Sequence, residues 1–143
     1  MTVGLPVALV LLQGCSFLVS STATPQAATE EVLSRGAQLY MENCQVCHGD
    51  RNGAGRQPYV PSHGPDGHTW HHSDTNLRDI ILNGSGAMSE MMREMEGVPP
   101  DAPRMPAWKG KLSEEDVQAI IAHIKTFWTP EERRQQQETP MMR

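Results

Sequence analysis

Two cysteines and a histidine, in the segment Cys44-Gln-Val-Cys47-His48, constrain this chain more than any other feature. A pair of cysteines with this spacing serves in structural zinc sites, in redox-active disulfides, and in the covalent attachment of c-type haem. Structural zinc needs four protein ligands, so the fourth would have to come from the histidine-rich segment further along the chain. A thioredoxin-like disulfide is expected beside a βαβ unit, and the sequence shows no convincing strand pattern.

The full Cys-x-x-Cys-His pattern is the attachment signature of c-type haem. In such a site, thioethers from Cys44 and Cys47 would fix the porphyrin plane and hold His48 beneath the iron. The composition agrees, because only 5% of the residues are aromatic while Gly (12) and Pro (11) are plentiful. A chain with so little material for a core often needs an added element for stability, and a large apolar cofactor would serve.

Three segments have the apolar periodicity of helices. The first starts at Thr29 as N-cap and runs into the cysteines. The second covers residues 73–84, with Ser73 or Asp74 as its cap and Asn83-Gly84 as its stop. Its inward-facing residues are predicted to be Leu77, Ile80 and Ile81.

The third helix opens with Ser113 and Asp116 in capping-box positions and ends before Pro130. Its apolar stripe consists of Val117, Ile120, Ile121, Ile124, Phe127 and Trp128. Residues 49–73 are rich in Gly and Pro, which predicts an ordered loop with a functional role.

The two ends of the chain differ in character from residues 29–129, which we expect to form one domain. Residues 1–14 are apolar but too short to span a bilayer, and they resemble a secretory signal peptide of the lipoprotein type. The segment Leu-Gln-Gly-Cys ends at Cys15, whose thiol would carry the lipid, although residues 1–14 contain no Lys or Arg. Residues 15–28 are predicted to be a flexible tether, and residues 130–143 a disordered tail.

Residues 29–129 resemble the class I cytochromes c of the bacterial single-haem type. The resemblance rests on Gly36 and Tyr40, which precede Cys44 at intervals of four, and on Met105-Pro106 just before the last helix. It implies an all-α fold, with three to five helices wrapped around one covalently attached haem. It also implies that Gly36 lets the last helix cross closely, with Ile124 and either Phe127 or Trp128 at that contact.

The resemblance further implies that His48 and Met105 are the axial ligands of the haem iron. Met88 is the nearest competitor of Met105, because it follows a Gly-rich turn. A proline carbonyl is expected to accept a hydrogen bond from the other ring nitrogen of His48, and both Pro58 and Pro61 are suitably spaced.

The function implied is that of a one-electron carrier rather than an enzyme. With both axial positions filled by protein, no small-molecule substrate is expected. The carrier would face an extracytoplasmic space such as the periplasm, bound to a membrane through the lipid at Cys15, and would exchange electrons with a redox partner protein. The net charge of −5 and the lack of a Lys/Arg cluster argue against nucleic acid as a partner.

Two clusters exceed what a minimal electron carrier needs. One is a set of loop histidines: His63, His68, His71 and His72. They are interpreted as local hydrogen-bonding or solvent-facing groups beside Trp70, and the alternative is a second metal site. The other is a set of methionines at helical spacing: Met88, Met91, Met92 and Met95. These are interpreted as core filling, the alternative being Cu(I) binding, so a copper-handling haem protein is the competing hypothesis.

Overall fold

The computed structural model describes Met1 and residues 28–139. Within this part of the chain there are six α-helices, one 3₁₀ turn and no strand. The helices are α1 (Glu30–Asn43), α2 (Gln45–His48), α3 (Asp74–Asn83), α4 (Ala87–Met95), α5 (Glu114–Lys125) and α6 (Pro130–Glu138), and the 3₁₀ turn is Thr69–His71. The all-α expectation is therefore confirmed. The predicted signal peptide, Cys15 and nearly all of the predicted tether lie outside the described residues.

Helices α1 and α5 cross closely at Gly36. A Cβ atom added to Gly36 would lie 2.0 Å from the carbonyl oxygen of Ala119 and 3.0 Å from Cβ of His123. The expected close crossing is present, and Ala119 and His123 lie nearest to Gly36 there. Phe127 instead packs edge-on against the ring of Tyr40, with 5.4 Å between the ring centroids. Both contacts fix α1, and therefore the cysteines that follow it, against the end of α5.

The core lies where α1, α3 and α5 meet. Its members are Leu39, Tyr40, Cys44, Leu77, Ile81, Leu82, Val117, Ile120, Ile121, Ile124, Phe127 and Trp128. All six residues of the stripe predicted for the last helix are among them. The prediction for α3 is wrong at Ile80, which is exposed, because the buried face of the helix runs through Leu77, Ile81 and Leu82.

The helix termini follow the sequence closely. The side chain of Thr29 accepts from the backbone of Val32, and that of Ser73, rather than Asp74, accepts from Asn76. The capping box of α5 is complete, since Ser113 and Asp116 each bond to the other's backbone N–H. Gly84 ends α3 with a φ of 73°, a positive value that glycine adopts without strain.

The prediction of a disordered tail is wrong for Pro130–Glu138, which form α6. Pro130 opens this helix instead of preventing it, because the first helical position needs no N–H donor. The helix has no apolar stripe, and polar contacts hold it in place. Buried Gln136 donates to the carbonyl oxygen of His72 at 3.1 Å, and Arg133 donates to the carbonyl oxygens of Lys125 and Trp128. Periodicity alone misses a helix that is docked in this way.

None of the helices in residues 28–139 is long and apolar enough to cross a membrane.

Candidate functional site

The two cysteines and His48 lie in one tight turn between α1 and the following loop. The backbone N–H groups of Cys47 and His48 both donate to the carbonyl oxygen of Cys44, at 3.1 and 3.0 Å. Residues three apart in a helical turn lie on the same side, so Cys44 and Cys47 present their thiols together. Both are free thiols, with Cys44 buried and Cys47 partly exposed. Burial raises the pKa of the Cys44 thiol to about 12.

His48 is buried, and one of its ring nitrogens is occupied. Its Nδ1 lies 2.8 Å from the carbonyl oxygen of Pro61. A carbonyl can only accept, so Nδ1 carries the proton and Nε2 keeps the lone pair that a metal ligand needs. Burial lowers the pKa of His48, which favours the same neutral form. Of the two prolines that the sequence left open, the structure selects Pro61.

Tyr40 fastens this turn to α1. Its hydroxyl donates to the carbonyl oxygen of Gly49 at 2.8 Å, one residue after His48. The ring is almost fully buried, and burial raises the pKa of the phenol well above its usual range, so the hydroxyl keeps its proton. Gly49 itself has a φ of 76°, and a Cβ there would lie 2.8 Å from the carbonyl oxygen of Ala54. The backbone leaving His48 is therefore fixed on both sides.

The loop that carries Met105 is bonded to the end of α3. The carbonyl oxygen of Met105 accepts from the backbone N–H of Ser85 at 3.0 Å, and its N–H donates to the Ser85 hydroxyl at 3.1 Å. Three residues further on, the N–H of Trp108 donates to the carbonyl oxygen of Ile81 at 3.2 Å. Met105 is partly buried and packs against the core. Its position is thus set by backbone bonds on both sides of the side chain.

Gly84 permits this close approach. A Cβ atom at Gly84 would lie 2.6 Å from the carbonyl oxygen of Met105 and 2.9 Å from the backbone nitrogen of Ala107. The sequence identified Gly84 only as a helix stop. Its second role was missed because it depends on a segment about twenty residues further along, and no local pattern reveals that contact.

The four loop histidines do not form a single cluster, although the rings of His68 and His72 lie edge to face with 5.5 Å between their centroids. His63 is partly buried, and its Nδ1 lies 3.0 Å from Oγ1 of Thr69, whereas His68 and His71 are exposed. The ring of His71 lies against that of Trp70, with 3.7 Å between the centroids. No group of three or more His, Cys, Asp or Glu side chains in residues 28–139 is arranged to hold a metal ion. The alternative of a second metal site at these histidines therefore stays a prediction.

The methionine cluster is not core filling, contrary to the interpretation drawn from its spacing. All four of its side chains lie on one face of α4, and their exposed fractions are 70% for Met88, 48% for Met91, 46% for Met92 and 76% for Met95. Met88, the rival of Met105, is outside the core cluster that Met105 contacts.

The residues present fit a covalently attached haem. Two unpaired thiols share one turn, a buried imidazole keeps Nε2 as an acceptor, and a thioether lies on a loop held by backbone bonds. Thiols and an imidazole in this order are the donor set of c-type haem sites.

Comparisons with known proteins agree with this geometry. The family model described as cytochrome c matches residues 33–128. Among curated proteins, the chain is similar to "Cytochrome c6, chloroplastic" of Chlamydomonas reinhardtii, with 26% identity over 120 residues, which are 83% of this chain and 69% of that protein. No solved structure matches the chain significantly.

Proposed function

The chain belongs to the cytochrome c family and binds haem c covalently, and on that premise we propose that it is a one-electron carrier with His48 and Met105 as axial ligands. The observation that carries the proposal is the buried imidazole of His48, fixed by Pro61 at Nδ1 with Nε2 left as an acceptor. The haem, when bound, supplies an iron that alternates between the ferrous and ferric states.

The protein's own contribution is to hold both ligands without rearrangement. His48 is oriented by the Pro61 carbonyl, and Met105 by its two backbone bonds with Ser85. Ligand orientation by outer hydrogen bonds tunes a metal site, and a histidine-methionine pair is associated with a raised reduction potential. If His48 and Met105 both bound the iron, no position would be left for a substrate, which supports electron transfer rather than catalysis.

Optical spectra of the purified holoprotein test this ligand assignment. A methionine sulfur on ferric haem gives a weak absorption band at the red end of the spectrum, and we expect this band in the wild-type protein. Met105→Ala should abolish it, because the thioether is lost. Met88→Ala is the matched control, since it removes a thioether from α4 and should leave the band in place. Loss of the band in Met88→Ala and its retention in Met105→Ala would show that Met88 is the ligand.

We further propose that the carrier works in an extracytoplasmic space, attached to a membrane by a lipid on Cys15. The lipobox-like segment before Cys15 supports this location. Intact mass of the membrane-extracted protein, compared with that of Cys15→Ser, tests it. A wild-type mass without a lipid, or retention of Cys15→Ser in the membrane fraction, would contradict the anchor.

The acidic chain, with a net charge of −5, supports docking on a redox partner that offers a positive surface. The rate of electron exchange with a basic partner should then fall as salt is added, because exposed charges are screened beyond about 10 Å at 0.1 M ionic strength. A salt-independent rate would count against charge complementarity.

Copper handling is the second candidate, and only the exposed thioethers on α4 favour it, since they are the ligands that Cu(I) prefers. Metal analysis after incubation with Cu(I), set against a variant with Met88, Met91, Met92 and Met95 all changed to Leu, tests it. Equal copper contents in the two proteins would remove this candidate.

A further inference from the structure

The ring of His63 lies face to face with that of His48. Their centroids are 4.1 Å apart and their planes are inclined by 23°. We infer that His63 is a positioning residue, which fixes the plane of the His48 imidazole by stacking against it. The inference rests on the proposed role of His48 as an axial ligand, and it concerns a residue for which the sequence suggested only local hydrogen bonds or a separate metal site.

The His63 ring is held by a hydrogen-bond relay. Its Nδ1 lies 3.0 Å from Oγ1 of Thr69, and the Thr69 hydroxyl donates to the carbonyl oxygen of Ser62 at 3.2 Å. A hydroxyl has one proton, and here the carbonyl of Ser62 receives it. Oγ1 therefore accepts from His63, which must carry its proton on Nδ1. The network thus assigns both the tautomer and the orientation of the ring.

The backbone of His63 is held separately, from the far end of the sequence. The indole Nε1 of Trp128 donates to the carbonyl oxygen of His63 at 3.0 Å, and Trp128 is almost fully buried just after α5. The 3₁₀ turn therefore anchors the ring, while the end of α5 anchors the backbone. With its ring and its backbone both held, His63 can restrict the orientation of the neighbouring His48 ring.

The surroundings of His63 also suit a stacking partner. The rings of Tyr40 and His63 pack edge to face, with 5.9 Å between their centroids. The His63 ring thus presents a π face to the imidazole of His48.

Pro61 and His63 restrict different motions of His48. The bond from Nδ1 to Pro61 fixes where one atom of the imidazole points, but the ring can still tilt about that bond. A stacked plane 4.1 Å away removes this tilt. The plane of an axial imidazole affects the electronic structure of a ferric haem, so losing the stack should change spectroscopic properties even where His48 stays bound.

The test compares His63→Leu, His63→Phe and His71→Leu in the full-length, haem-loaded protein. His63→Leu loses the aromatic stack, and His63→Phe keeps a ring in place. His71→Leu removes an exposed histidine of the same loop, whose ring lies against Trp70 rather than His48. The readouts are the g-values of the ferric protein in electron paramagnetic resonance and the reduction potential.

We expect His63→Leu to change the g-values and to shift the equilibrium constant with a fixed reference couple by about threefold, which is roughly 30 mV for one electron. The shift should favour the reduced state, because the π face that stabilises the more positive ferric site is gone. His63→Phe should retain g-values close to wild type, and His71→Leu should match wild type in both readouts. Wild-type g-values and potential in haem-loaded His63→Leu would overturn the inference.

If His63→Leu fails to fold or to take up haem, Thr69→Val decides the matter. This variant keeps the histidine but removes the hydroxyl that orients it. A change in g-values in the same direction supports the positioning role, and unchanged g-values refute it. A wild-type protein that lacks covalent haem, or lacks the methionine band, would instead count against the proposed function, so the two failures are distinguishable.

Discussion

Gly84 and Met105 are in direct backbone contact, and the contact leaves no room for a side chain on the glycine. A Cβ atom at Gly84 would lie 2.6 Å from the carbonyl oxygen of Met105, and the φ of Gly84 is 73°. Gly84, which ends α3, therefore also sets how closely the Met105 loop can approach that helix. A change at Gly84 should act on the site although glycine has no side chain of its own.

Gly84→Ala is expected to disturb both stability and methionine ligation. A non-glycine residue held at this positive φ costs about 1–3 kcal/mol, and overpacking against fixed backbone should raise the total to at least about 3 kcal/mol. The Met105 loop must move to relieve the contact, so the methionine band of the ferric protein should weaken. Denaturant unfolding and optical spectroscopy measure the two effects.

Gly97→Ala provides the matched control. Gly97 has a similar φ of 69°, but a Cβ atom there would meet nothing within 4 Å. We expect a loss of only about 1 kcal/mol from the backbone conformation and an unchanged spectrum. Equal effects of Gly84→Ala and Gly97→Ala would show that the Met105 contact is unimportant.

Gly36→Ala tests the crossing of α1 and α5. In an open helix this substitution should stabilise by roughly 0.8–1 kcal/mol. Here the new Cβ would lie 2.0 Å from the Ala119 carbonyl oxygen, so the helices must separate and the sign should reverse. We expect a loss of about 2–4 kcal/mol in denaturant unfolding. A stabilised Gly36→Ala protein would be inconsistent with the crossing described.

Gln136→Ala tests whether α6 is docked as described. The Gln136 amide is buried and donates to the His72 carbonyl oxygen at 3.1 Å and to the Asp74 carboxylate at 2.7 Å. Removing it leaves these acceptors without that donor, which should cost about 1–3 kcal/mol. Gln137→Ala changes an exposed neighbour of the same residue type and should have almost no effect. If the two variants unfold alike, α6 contributes nothing to stability through Gln136.

His123 should make the protein less stable in mild acid. Burial between Tyr40, Phe127 and the crossing at Gly36 lowers the pKa of its imidazole below the ordinary value of 6.5. As pH falls through that value, the His123 imidazole becomes protonated in the unfolded chain while it remains neutral in the folded protein. The free energy of unfolding should therefore decrease below about pH 6.5.

Replacing His123 with Gln should make this decrease shallower between about pH 7 and pH 5. His68→Gln is the control, because the exposed ring of His68 meets solvent in the folded and unfolded states alike. Urea unfolding at several pH values gives the slopes. A wild-type slope in His123→Gln would assign the acid sensitivity to another group.

Features that depend on local chemistry could be predicted from the sequence. The caps at Thr29, Ser113 and Asp116, the stop at Gly84, and the buried stripe of α5 all follow from the preferences of a few neighbouring residues. Local sequence patterns did not predict α6, because Gln136 and Arg133 stabilise this helix by hydrogen bonds to carbonyl groups outside it. They also failed for the methionines of α4, whose helical spacing says that they share a face but not what that face meets.

The sequence by itself determined the attachment turn, because two thiols three residues apart and an adjacent imidazole are a property of Cys44, Cys47 and His48 alone. Only the tertiary structure decided which partners orient them. Pro61 rather than Pro58 lies 2.8 Å from His48 Nδ1, and His63 stacks on His48 instead of joining the other loop histidines. The physical reason is distance: hydrogen bonds and ring stacking act over a few ångströms, and folding alone brings residues far apart in the chain within that range.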